Sequence, residues 1–418
     1  MIQGSLAPLR LPAYRAWIIG RATNAFGNSI APIALAFAVL DISGSASDLG
    51  LVIGARTLVN VLFLLFGGAL ADRVPKNVLM VGASLAAFAS QAAVAALVLT
   101  HTATIPLLML LSGVNGMVAA LSMPASSAII PQIIPGEIRQ QANALGRLCL
   151  NGAMILGAPI GGVLVAAVGP GWGIGVDAAT FLLAALCFAL IKLPPEPVRE
   201  PSERTGIVHD LRTGWSEFRS RTWLWAVVAS FCVLNASLIG GMFVLGPVIA
   251  DHTIGRQAWG FVLAAETAGM IVGALIAIRL RVRRLLFLGV ACTIFMALPV
   301  FVLGVYPHLA LMAAAGFVTG VAVEQFAVGW ETTMQEHVPG DKLARVYSYD
   351  MVGSYLAIPI GQVSVGPLAD HIGLRPTLIG LSGLMVLAVA GMLASRDVRH
   401  LAHELPKADQ PTVTESVP

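Results

Sequence analysis

Three ionisable residues, Arg56, Glu266 and Glu324, lie deep within long apolar segments of the chain. An ionisable side chain in the hydrocarbon core of a membrane costs at least ~2.5 kcal/mol, so each is expected to face protein or a water-filled cavity. A carboxyl group in such a place can bind and release a proton, which makes Glu266 and Glu324 candidates for proton coupling. The alternative for all three is a structural role, as an ion pair, a helix-packing residue or a buried neutral acid.

Other polar residues in the apolar segments are candidates for lining a cavity. One set recurs at i, i+4, i+7 and i+11, on a single face of the first helix: Trp17, Arg21, Asn24 and Asn28. The predicted cavity-lining residues are Arg21, Asn24, Asn28, Arg56, Glu331 and Asn235. Asp177 follows the start of its segment closely and is expected to be interfacial or to cap a helix.

The composition is that of a membrane protein. Of 418 residues, 57% are hydrophobic and only 11% are charged, whereas a soluble domain has about 25% charged residues. The net charge of +3 is spread over loops, so no nucleic-acid partner is expected. The four cysteines lie in apolar segments without paired spacing, which indicates neither disulfides nor a metal site. Phosphate-loop, zinc-protease and serine-hydrolase motifs are missing, so we expect no enzyme and no cofactor.

Twelve apolar segments are each near the ~20 residues that a helix needs to cross a membrane. They lie at about residues 15–40, 47–71, 77–100, 104–131, 145–168, 172–192, 223–250, 257–278, 285–305, 308–334, 347–368 and 374–394. The predicted fold class is therefore an all-α membrane protein with twelve transmembrane helices.

The basic residues indicate the orientation of these helices. If both termini are cytoplasmic, 21 of the 25 Lys and Arg residues fall in cytoplasmic segments, as the positive-inside rule requires. We therefore predict a multi-pass protein of the cell inner (plasma) membrane. The first apolar segment is too long for a signal peptide and is expected to be a retained span.

A polar, proline-rich connection divides the chain into two halves. We predict a first six-helix bundle in residues 1–192, a cytoplasmic linker in 193–222, a second bundle in 223–395 and a disordered cytoplasmic tail in 396–418. The halves show weak internal repetition, since residues 50–57 align with 260–267 and residues 158–161 with 358–361. The first alignment places Arg56 and Glu266 in corresponding positions of the two halves.

Two glycine-containing motifs indicate movement between helices. Between the second and third segments, Gly68, Asp72, Arg73 and Lys76 surround a short charged turn that we predict to be a conformational latch. In the fifth segment, Pro159 removes a backbone hydrogen bond of the helix, so this helix is expected to bend. The small residues around Pro159 permit close packing against neighbouring helices. Those residues are Gly157, Gly161 and Gly162.

The first motif resembles the signature of the major facilitator superfamily in the loop between helices 2 and 3, with Pro75 and Asn77 departing from it. The second resembles the antiporter motif of drug exporters. Stretches after the fourth and tenth segments, and at the start of the sixth, resemble the branch of drug-proton antiporters that includes macrolide efflux and enterobactin export proteins.

This resemblance implies two pseudo-symmetric six-helix bundles that expose a central site alternately to each side of the membrane. It also implies proton-coupled efflux, with cargo, protons and membrane lipid as partners and a monomer as the working unit. The apolar, weakly charged spans, with many Met and Phe residues, suit a small hydrophobic or amphipathic compound as cargo. Because the first helix has no deep acidic residue, coupling is expected at Glu266 and Glu324. A lipid flippase or a non-transporting membrane sensor on the same scaffold is the alternative.

Overall fold

A computed structural model of the chain describes residues 7–71, 75–135, 138–193, 215–280 and 282–402. Within these ranges, twelve helices are long and apolar enough to cross a membrane, which confirms the predicted number of spans. They are α1 (Pro12–Ser43), α2 (Ala46–Ala71), α3 (Lys76–Leu99), α4 (Ile105–Ala128), α5 (Arg139–Val168), α6 (Pro170–Ala189), α7 (Thr222–His252), α8 (Arg256–Arg279), α9 (Leu285–Val305), α10 (Leu309–His337), α11 (Gly340–Tyr355 and Ile358–Ile372) and α12 (Leu374–Ala394).

The helices form two bundles with the same internal packing. In the first bundle α1 packs on α5 and α6, α2 on α4, and α3 on α4 and α6. In the second bundle α7 packs on α11 and α12, α8 on α10, and α9 on α10 and α12. Every pair in the first bundle has its counterpart six helices later, which confirms the pseudo-symmetric architecture.

The turns on one face of the protein repeat the symmetry in backbone detail. Gly44, Gly169, Gly255 and Gly373 are the glycines with positive φ in the described residues, and they connect α1–α2, α5–α6, α7–α8 and α11–α12. Gly169 (φ 91°, ψ 164°) and Gly373 (φ 93°, ψ 154°) have nearly the same conformation. Only glycine adopts this region readily, so the same turn chemistry recurs at equivalent places in both halves. We call the face that carries these four turns the turn face, and the other the terminal face.

The two bundles meet mainly near the turn face. The half of α11 nearest this face, Ile358–Ile372, packs on α2 of the first bundle, whereas the half nearest the terminal face, Gly340–Tyr355, packs on α7 and α10 of its own bundle. Helices α5 and α8 form the second contact between bundles, where Gly162 and Gly260 face the backbone of the opposite helix. The described contacts therefore close the turn face and leave a cleft toward the terminal face.

Parts of the predicted domain scheme lie outside the described residues. The longest of these parts are residues 194–214 of the linker and 403–418 of the tail. Within the linker, residues 215–220 are helical. At the start of the predicted tail, Arg396–His400 forms a short helix whose Val398 is buried.

Candidate functional site

A polar cavity lies inside the first bundle, in the middle of the spanning segments. It has a volume of about 210 Å³. Four of the predicted cavity-lining residues, Arg21, Asn24, Asn28 and Arg56, lie on its wall. The structure therefore brings together a face of α1 and a residue of α2. The other polar residues of the wall are Ser84 from α3 and Asn115 and Ser122 from α4.

Hydrogen bonds hold both arginines against α4. Arg56 Nε donates to Asn115 Oδ1 at 3.1 Å, and Arg21 Nη1 donates to Ser126 Oγ at 2.8 Å. Arg21 also lies over the Trp17 ring, with its guanidinium carbon 5.7 Å from the ring centre. Neither arginine is within ion-pair distance of a carboxylate in the described part of the chain. Their positive charges therefore remain available to the cavity.

Asp177 of α6 is the one acidic side chain near these arginines among the described residues. It is fully buried, accepts a hydrogen bond of 2.6 Å from Gln91 Nε2 on Oδ2, and has no partner for Oδ1. It interacts electrostatically with Arg56. The expected interfacial or capping position is therefore wrong. Helix α6 begins at Pro170, so Asp177 is two turns inside it, about 10 Å along the axis.

The cavity continues toward the space between the bundles. A second cavity of about 310 Å³ shares Arg21, Asn24 and Asn28 with the first and is completed by α5, including Asn151 and Met154. Asn28 is exposed, and its Nδ2 donates to Asn24 Oδ1 at 2.8 Å. The polar face of α1 therefore extends from the cavity inside the first bundle to the exposed side of α1.

Glu266 lies in the middle of α8 and faces α10. A Cβ at Gly320 would be 1.9 Å from the Glu266 backbone oxygen, so only glycine permits this approach. The same holds at Gly116 of α4, where an added Cβ would be 2.1 Å from the Arg56 backbone oxygen. Arg56 and Glu266 therefore occupy equivalent positions against equivalent helices, although they do not pair with each other. The half-buried Glu266 side chain has no hydrogen bond or ion pair with the described residues.

Glu324 of α10 is half-buried and lies within electrostatic range of Arg147, an exposed residue of α5 in the first bundle. The two residues belong to opposite bundles. Glu331, further along α10, is exposed and accepts a hydrogen bond of 3.4 Å from Gln335. Asn235 of α7 donates to the Ser354 backbone oxygen at 3.1 Å, so it joins α7 to α11 within the second bundle. Neither residue lies at the cavity of the first bundle.

The two glycine motifs are described to different extents. Asp72 and Arg73 of the predicted latch lie outside the described residues, Gly68 belongs to α2, and Lys76 begins α3. In α5, a Cβ at Gly157 would be 1.9 Å from Ser29 Oγ of α1, and Gly161 faces Ile30. Gly162 faces α8, and Pro159 lies within a continuous helix. The glycines of this motif thus pack α5 against α1 of its own bundle and against α8 of the other bundle. The bending of α5 stays a prediction.

Comparison with known proteins identifies the family. The profile of the Major Facilitator Superfamily matches residues 17–362. The chain belongs to the major facilitator superfamily. A multidrug efflux pump, Tap, from Mycolicibacterium fortuitum is 29% identical over 385 residues, covering 87% of this chain and 91% of that protein. The enterobactin exporter EntS from Escherichia coli (strain K12) is 25% identical over 417 residues, covering 95% of each.

Solved structures show the same fold. The nucleoside transporter NupG matches with a TM-score of 0.71 at 12% identity, covering 91% of this chain and 98% of that one. A bacterial homologue of the human lysosomal transporter Spinster, crystallised in an inward-facing and unoccupied conformation, matches with a TM-score of 0.73 at 14% identity, covering 94% and 98%. This superfamily member is accordingly a multi-pass membrane transporter of small molecules and not an enzyme.

Proposed function

We propose that the protein exports a small hydrophobic or amphipathic compound from the cytoplasm in exchange for protons. It works as a monomer in the cell inner membrane with both termini cytoplasmic. Support for export comes from the efflux and export activities named for two relatives, Tap and EntS. Support for the orientation comes from the basic residues, most of which lie in segments on the terminal face.

In this orientation the structure is the inward-facing state of an alternating-access cycle. The contacts between α2 and α11 and between α5 and α8 close the turn face. In the proposed orientation this is the extracellular face. Cargo enters the cleft from the cytoplasmic side and leaves after these contacts open. Superfamily members built from paired bundles work by such rocking around a site near the middle of the membrane.

Glu266 is the residue on which the proton coupling is proposed to depend. The observation that carries this is a half-buried carboxyl group in mid-membrane that has no hydrogen bond or ion pair with the described residues. A structural acid would be held by such a partner, because an unpaired charge in this environment is costly. Glu266 gains a proton when the site opens outward and loses it when the site opens inward. Glu324, which interacts electrostatically with Arg147 of the other bundle, is the second proton carrier.

The test follows proton movement in inside-out vesicles with a pH-sensitive dye while lipophilic cations, macrolides and siderophores are added. We expect cargo-dependent release of protons from wild-type vesicles and at least a tenfold loss in Glu266→Gln, which is the effect of about 1.4 kcal/mol. The matched control is Glu336→Gln, the same substitution at an exposed residue near the end of α10.

Three outcomes separate the parts of the proposal. Release that persists in Glu266→Gln but is lost in Glu324→Gln moves the coupling to α10. Release unchanged in both variants makes both residues structural and contradicts the coupling mechanism. If no compound moves protons while a fluorescent phospholipid crosses the bilayer, the protein is a lipid flippase and the proposed function is wrong.

A further inference from the structure

We propose that the cavity of the first bundle binds the anionic group of an amphipathic ligand. The ligand is the cargo if the proposed function holds, so its role in transport rests on that function. The binding chemistry itself does not. The ligand class follows from the charges, the unpaired donors and the size of the cavity.

The charge of the cavity is positive. Arg21 and Arg56 both lie on its wall, and the described wall contains no Asp or Glu. Asp177 acts on Arg56 from behind the wall, but it does not form an ion pair with either arginine. Two guanidinium groups against one carboxyl group leave an excess of positive charge, which a buried site must compensate with an anion.

Polar atoms without partners also point into this region. Asn115 is 4% exposed, and its Nδ2, a donor, has no hydrogen-bond partner. Arg21 Nε is a second buried donor without a partner. Leaving a buried donor without a partner is unfavourable, so these atoms are expected to be satisfied in the working protein. Oxygen atoms of an anion satisfy guanidinium and amide donors together, and they do so with the stronger, charge-assisted hydrogen bonds.

The size and shape of the site limit what it holds. At about 210 Å³ the inner cavity has room for a carboxylate or phosphate with a few waters of about 30 Å³ each, but not for a whole drug-sized molecule. The connected outer cavity is lined in part by Leu150 and Met154. An amphipathic ligand therefore places its anionic group among the arginines and its apolar part along α5.

The experiment compares three probes with the same ring and different charge: 1-naphthoate, 1-naphthamide and 1-naphthylmethylammonium. The full-length protein is held in phosphatidylcholine nanodiscs, and affinity is measured by calorimetric titration. We expect 1-naphthoate to bind at least about tenfold more tightly than the other two, the preference of one charge-assisted hydrogen bond. Equal affinity for the three probes, or preference for the cation, overturns the proposal.

Variants locate the binding. Arg56→Gln and Arg21→Gln are expected to weaken naphthoate binding about tenfold each and to leave naphthamide binding unchanged. Arg15→Gln is the matched control, because Arg15 is an exposed residue of α1. Asn28→Asp adds a negative charge at an exposed position of the mouth, where it need not disturb folding, and should also weaken naphthoate binding. Anion binding that survives all three cavity variants places the site elsewhere.

Two further arms identify the source of the anion and keep the proposal separate from the transport function. Repeating the titration in phosphatidylglycerol nanodiscs distinguishes a soluble ligand from a lipid headgroup, since an anionic headgroup in the site competes with naphthoate. Proton-driven uptake of 1-naphthoate into inside-out vesicles tests transport. Selective anion binding without uptake supports the proposed anion site and contradicts the export function. Proton-coupled transport without a preference for the anion supports the export function and contradicts the proposed anion site.

Discussion

Asp177 and its neighbours show how a single buried carboxyl group is held in the first bundle. One oxygen accepts a hydrogen bond from Gln91 and the other has no partner. Helix α1 makes room for this group at Gly27, where an added Cβ would lie 2.6 Å from Asp177 Oδ1. The carboxyl group thus occupies a space between α1, α3 and α6 that a side chain at position 27 would fill.

We expect Asp177→Ala to destabilise the protein by about 1–3 kcal/mol, because the half-buried Gln91 amide loses its acceptor and a hydrogen bond to a charged group is lost. Asp177→Asn keeps an oxygen at the same place and should cost less than half as much. Thermal unfolding in detergent measures both, with Asp397→Ala as an exposed control. Equal losses for Asn and Ala would show that the charge beside Arg56, and not the hydrogen bond, stabilises this part of the bundle.

At the scale of elements, the helix at residues 215–220 connects the linker to the second bundle. Trp215 stacks on Phe218, with ring centres 5.7 Å apart, and both contact Tyr349 of α11. Glu217 accepts hydrogen bonds from Lys342 Nζ at 2.8 Å and from Arg221. These contacts attach the end of the linker to the half of α11 that borders the open cleft.

The attachment is expected to weaken in acid. The hydrogen bonds from Lys342 and Arg221 lower the pKa of Glu217 below its ordinary value. Because its pKa is lowered, Glu217 stabilises the attached state at pH values above the unfolded-state pKa of about 4.3. This contribution is lost as the pH falls through the lower pKa of the attached state. Wild-type fluorescence from Trp215, obtained by subtracting a Trp215→Phe variant, should change below about pH 4. Glu217→Gln should remove this transition, and a transition that persists there must come from another group.

At the scale of the whole molecule, ion pairs join the bundles where the turn face is closed. Arg256 of α8 pairs with Asp41 of α1 across the interface, at 2.5 and 3.0 Å, and with Asp251 of its own bundle at 2.7 Å. Ser47 donates to Asp370 across the same interface at 2.8 Å. Opening toward the turn face must separate these groups, so they stabilise the state that is open toward the terminal face.

Arg256→Gln should therefore shift the equilibrium toward the state open at the turn face. The pair is partly exposed, so we expect ~0.5–1 kcal/mol, which is about a twofold to fivefold change in the ratio of the two states. The reporter is Asn28→Cys in a cysteine-free background, labelled in intact cells with a membrane-impermeant maleimide. Arg375→Gln, an exposed arginine at the same face, is the control. Equal labelling in all variants would mean that other contacts hold this face closed.

The class of protein, the number of helices and the family could all be predicted from the amino-acid sequence. An apolar segment long enough to cross the hydrocarbon core must be helical, because its backbone groups find no other partners there. The repeat at residues 50–57 and 260–267 also placed Arg56 and Glu266 at corresponding positions of the two halves. Their equivalent close approaches to Gly116 and Gly320 agree with this correspondence. The face of α1 that carries Arg21, Asn24 and Asn28 was readable from its spacing.

Which of these residues contact one another could not be predicted without the packing of the helices. Gln91 and Asn115 lie in apolar segments that also contain several serines, and nothing in their spacing shows that one holds Asp177 and the other Arg56. In a membrane, apolar residues cover both the lipid-facing and the packed sides of a helix, so hydrophobic periodicity does not record how the helix is rotated. That rotation is set by packing between helices far apart in the chain, and it creates the cavity between Arg21 and Arg56.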